Sequence, residues 1–216
     1  MARKANTTHV SDDEIRKLLK QYECPVAFHV VRTRFLGSIA SPNAGVSPMN
    51  TVKALWVGEL PPFDSLDAAN EFLGVLLNGL WNQLTKHQER SAAFRLVRID
   101  VPVSRVGLAS LTRWRRDELD GFIEGLFGDE KRIDLPERAH TALEELGQLR
   151  MIIEGARELA DDETKTVEVG ELRKTFAHFR DLTRIAEHEM HEVVLACTRA
   201  RRQLLEGVPA TRPVLH

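Results

Sequence analysis

Leu172, Phe176, Phe179, Ala186, Met190, Val193, Val194, Cys197 and Leu204 recur at a helical period, and at 100° per residue all fall within a wedge of about 100°. The stripe runs for about nine turns, with charged residues on the remaining faces. A second stripe precedes it: Ala139, Ala142, Leu146, Leu149, Ile153, Ala156 and Ala160. A polar linker, Asp161-Asp162-Glu163-Thr164-Lys165, joins the two. Two long apolar faces so joined predict a C-terminal helical hairpin that must be buried against other helices.

The 216 residues suit one large domain or two small ones. They hold 30 basic and 32 acidic side chains with the signs interspersed, so no global field favours nucleic acid or a membrane surface. The start, Met1 to Thr8, is basic but no apolar run follows it, which argues against a secretory leader. No stretch of about 18 apolar residues suggests a membrane span. Cys24 and Cys197 lie among apolar neighbours and read as buried reduced thiols, in keeping with a cytoplasmic protein.

Turn and cap signals divide the N-terminal part. Ser11-Asp12-Asp13-Glu14 is a capping box that opens a helix to about Gln21. Pro25 suits the first turn of a second helix, with Phe28, Val31, Phe35 and Ile39 on one face and an end before Ser41-Pro42. Asn43-Ala44-Gly45 is a turn, and Ser47-Pro48 starts a helix through Trp56. Ser65 caps a longer helix with the stripe Leu66, Ala69, Leu73, Leu76, Leu77, Leu80 and Leu84, ending near His87. Phe94 to Val101 has strand propensity but no partner strand, so residues 88–107 read as an extended connector. Leu108, Leu111, Leu119, Phe122 and Leu126 mark a helix ending at Gly128, within which Gly121 and Gly125 allow close helix approach. Pro136 opens the first hairpin helix. The last helix runs from near Val169 to Gly207 and leaves a frayed tail, Ala210–His216.

Three blocks in this stretch carry a family likeness. They are Arg34-Phe-Leu-Gly-Ser-Ile-Ala-Ser-Pro42 with Val46-Ser-Pro48, Leu55-Trp-Val-Gly-Glu59 with Pro62 to Ala69 and Leu77 to Asn82, and Glu118-Leu-Asp-Gly-Phe-Ile-Glu-Gly-Leu126. From Phe35 to Phe127 the chain resembles the YecA/YgfB family of uncharacterised bacterial proteins. Glu118 stands where that family usually has a Trp, with Trp114 one turn earlier. Two cysteines cannot supply the zinc-binding segment that ends some members. The resemblance implies a soluble, all-helical bacterial protein without assigned catalysis, and it transfers no site residue.

No catalytic or cofactor-binding signature is present. Gly37, Gly45, Gly58, Gly79, Gly121 and Gly125 form no phosphate cradle, and no Gly-x-Ser-x-Gly occurs. His188-x-x-His191 has the spacing of two metal ligands on one helical face. On the wheel His178, His188 and His191 lie away from the apolar stripe, which predicts solvated or surface-paired side chains. Arg199, Arg201 and Arg202 read as complements to a helix C-terminus, and Arg113, Arg115 and Arg116 as a solvated face. Trp56, Trp81 and Trp114 border apolar stripes and read as core or half-buried.

The expected fold is therefore all-α: a bundle of about seven helices, with a YecA/YgfB-like region over 1–128 and the hairpin over 129–216 packed with it as one domain. The leading functional expectation is a non-enzymatic cytoplasmic interaction or regulatory module that binds a protein partner or a second copy and needs no cofactor. The alternatives are a metal-dependent helical enzyme using His/Glu ligands, with His188 and His191 as the candidate ligands, and a nucleic-acid-binding regulator acting through the arginines.

Overall fold

The computed structural model describes residues 10–43, 46–162, 164 and 168–207, and the expected frayed tail lies outside that range. The described residues form an all-α bundle of seven helices. Among the described residues no strand forms and no helix is long and apolar enough to cross a membrane.

Helix α1 (Asp12–Gln21) carries both halves of its capping box. The Ser11 hydroxyl accepts from the Glu14 N–H, and the Ser11 N–H donates to the Glu14 carboxylate at 2.7 Å. Helix α2 (Phe28–Ala40) starts three residues later than Pro25 suggests, because Glu23 takes a left-handed turn (φ 48°) and Ala27 becomes the N-cap. Ser47 caps α3 (Pro48–Ala54) by accepting from the Asn50 N–H. That helix stops short of Trp56, and Val57 (φ 59°) and Gly58 (φ 97°) turn the chain out. The Trp56 indole N–H donates to the Tyr22 carbonyl at 2.9 Å, fastening this turn to the end of α1.

Helix α4 is composite. Leu66–Leu73 is α-helical, Gly74–Trp81 is π-helical, Asn82–Leu84 returns to α, and Thr85–Gln88 closes as a 3₁₀ turn. Widening the turn moves the inward face. The expected stripe began at Leu66, which is 77% exposed; Phe72, Leu76, Leu80 and Leu84 are the residues buried. Phe72 sits at the centre of an aromatic cluster, with ring centroids 4.9 Å from Tyr22, 5.1 Å from Phe63 and 5.3 Å from Trp56.

Helix α5 (Arg105–Phe127) is capped by Ser104 and ended by Gly128 at φ 56°. It lies along α2 at backbone contact, then packs on α6 (Glu137–Asp161), which packs on α7 (Val169–Gly207). Helices α6 and α7 make the expected hairpin. The 39 residues of α7 span about 58 Å at 1.5 Å per residue. Its stripe is buried from Leu172 to Cys197 except for the half-buried Phe176, and is joined by Leu182, but Leu204 at its far end is 71% exposed.

Candidate functional site

A buried polar cluster lies where α5 and α7 meet the extended connector. Residues 94–101 have strand-like sequence and no strand beside them, so their amides need other partners. Two carboxylates supply them. Glu187 of α7 accepts the Leu96 N–H at 3.0 Å and Glu118 of α5 accepts the Val97 N–H at 3.2 Å. The Arg115 guanidinium donates to the Val97 carbonyl at 3.0 Å and pairs with Glu118. Arg95 pairs with the second Glu187 oxygen at 2.7 Å. The connector is thus held by side chains acting as a substitute ladder.

Glu118 is fully buried, and burial raises its pKa to about 7, against the opposing pull of Arg115 and the Val97 N–H. One helical turn along α7, the buried His191 donates its Nε2–H to the His87 carbonyl at 3.0 Å. His87 donates through Nδ1 to the Ala92 carbonyl at 2.7 Å, fixing the entry to the connector. Arg138 spans from α6 to Glu189 and Glu192 of α7, each at 3.1 Å.

The buried His29 stacks on the half-buried Trp114, with ring centroids 4.2 Å apart and tilted by 32°. Among the described residues neither His29 Nε2 nor Trp114 Nε1 has a hydrogen-bond partner. Desolvation lowers the His29 pKa to about 4, outweighing the opposing effect of Asp117. Between pH 6.5 and 4 the unfolded chain therefore binds a proton that the folded chain refuses. His29 destabilises the fold progressively as pH falls through that window, by about 3 kcal/mol at its end. We expect His29→Phe to flatten the acid limb of stability against pH by that amount, as measured by urea unfolding from pH 7 to 4. An unchanged limb would show that His29 titrates alike in the folded and unfolded chain.

His188 and His191, the two candidate metal ligands, sit in different surroundings. His188 is exposed with its ring 3.8 Å from Glu189, while His191 is buried with Nε2 on a carbonyl. That corrects the expectation that His191 is solvated. Among the described residues no group of three His, Cys, Asp or Glu side chains is placed to hold a metal ion. Arg115 is likewise buried rather than on a solvated face, and Arg116 bonds Glu154 at 3.2 Å. Cys197 is buried and Cys24 half-buried; burial raises both thiols, Cys197 to about 11, which suppresses nucleophilicity. Trp56, Trp81 and Trp114 are all half-buried, as their stripes suggest.

No family model, curated protein or solved structure matches this chain.

Proposed function

We propose that the protein is a non-enzymatic interaction or regulatory module that works through helical surface, in line with its likeness to the YecA/YgfB family over Phe35–Phe127. One observation carries this reading: the outward face of α6 leaves Met151, Ile152 and Leu159 at 73%, 49% and 54% exposure within about two turns. Gly155 lies between them with open space beside it. The buried ionisable groups support the same reading, because Glu118, Glu187, Arg115 and His191 are spent on backbone atoms of the protein itself.

Light scattering on a sizing column tests it. We expect a mass above the 24.4 kDa of one chain, returning to one chain in Ile152→Asp/Leu159→Asp without loss of thermal stability. A wild-type monomer at high concentration, together with turnover in an activity screen, would overturn the proposal.

A further inference from the structure

We propose that the cleft between the turn after α4 and the last third of α7 binds a compact phosphate-bearing anion. The cleft is an open depression of about 510 Å³, lined chiefly by Gln88, Arg90, Thr198, Arg199, Arg202 and Gln203.

The arginines are the first reason. Most arginines here are spent within the fold: Arg34 on Glu124, Arg105 on the Ala160 carbonyl, Arg115 on Glu118, Arg150 on Asp120 and Arg201 on the Ile39 carbonyl. Arg90, Arg199 and Arg202 are exposed, line one cleft and engage no partner among the described residues. The helix dipole does not account for them. Helix α7 runs on to Gly207, its last turn holds no basic residue, and the dipole acts only within that turn. Three unpaired guanidinium groups offer planar, multidentate donors of the kind that match a phosphate.

Thr198 is the second reason. Each other described helical threonine returns its hydroxyl to a carbonyl three or four residues back: Thr33 to Val30, Thr51 to Ser47, Thr85 to Asn82, Thr112 to Ala109, Thr141 to Glu137, Thr175 to Glu171 and Thr183 to Phe179. Thr198 is 95% buried, lines the cleft, and its hydroxyl has no partner among the described residues. A bound oxyanion would give that hydroxyl an acceptor. Glu89 and Glu206 also line the cleft. They leave a net charge of about +1 over these five ionised side chains, which admits a compact anion and repels an extended polyanion.

Calorimetric titration of the full chain with pyrophosphate, at ionic strength held constant with chloride, tests this. We expect saturable single-site heat. Arg199→Ala/Arg202→Ala should lose about tenfold or more in affinity, and Thr198→Val about threefold to tenfold. The double arginine variant should keep the wild-type melting temperature, since neither side chain hydrogen-bonds or ion-pairs with a described residue. No saturable heat, or equal affinity in the double variant, would overturn the proposal. So would duplex DNA binding more tightly than pyrophosphate, with affinity falling steeply in salt.

Discussion

Glu118→Ala is expected to destabilise the protein by about 3–5 kcal/mol, among the largest losses that a single truncation gives here. The loss has three parts. Arg115, only 7% exposed, keeps its charge and loses its one carboxylate, retaining the Val97 carbonyl as its sole partner. The Val97 N–H loses its acceptor at a buried position. A cavity replaces a side chain with no exposed surface. Glu118→Gln keeps an acceptor for Val97 and most of the volume, so it should cost clearly less. Replacing both partners, Arg115→Met/Glu118→Leu, removes the stranded charge but leaves Val97 unsatisfied, and should fall between the two. The pH dependence has a definite sign. The folded pKa, near 7, lies above the ordinary carboxylate value, so this group's stabilisation is full below about pH 4.5 and is lost as pH rises through 7. Its slope opposes that of His29, and Glu118→Gln should abolish it. Urea unfolding of the four proteins at pH 5 and 8 decides the matter. A Glu118→Ala loss under about 1 kcal/mol would mean that water replaces the carboxylate.

The fold was legible in the sequence where period and punctuation agreed. Ser11 with Glu14, Ser47 with Pro48, Ser65, and the stripes of α6 and α7 each joined a local hydrogen-bonding signal to an apolar face. It was less legible where the period changed. The π-helical run Gly74–Trp81 has more residues per turn than a wheel at 100° assumes, so that wheel puts Leu66 inside and leaves Phe72 off the stripe. The polar cluster could have been found. At 100° per residue Arg115 and Glu118 lie about 340° and 280° from Leu108, within or beside the wedge of Leu108, Leu111, Leu119, Phe122 and Leu126. Charges on an apolar face need partners, and an extended connector without a sheet offers unpaired amides. What the wheel does not contain is the match between them: Glu118 and Val97 are 21 residues apart and Glu187 and Leu96 are 91 apart, and only tertiary packing brings each pair together.

Gly125→Ala should lower stability by about 3 kcal/mol, or about 6–12 °C in melting temperature. The α2–α5 contact is made of backbone. A Cβ built on Gly125 would stand 1.9 Å from the Arg34 carbonyl oxygen and 2.7 Å from its carbon; one on Gly37 would stand 2.1 Å from the Phe122 oxygen. No rotamer change relieves a clash with a carbonyl, so the helices must separate. Separation would pull Ser38 from the Gly125 carbonyl, which its hydroxyl reaches at 3.2 Å, and would loosen Phe35, Phe122 and Leu126, all fully buried. Gly121 is expected to cost less, because part of what its Cβ meets at 2.8 Å is the side chains of Thr33 and Val30, which can shift. Gly147 and Gly155 on α6 are the controls: a Cβ there meets nothing within 4 Å, and alanine should stabilise each by up to about 1 kcal/mol through helix propensity. Calorimetric melting of the four variants separates close packing from propensity, since propensity alone would raise all four melting temperatures. A Gly125→Ala protein as stable as the wild type would mean that α2 and α5 lie farther apart in solution than this contact requires.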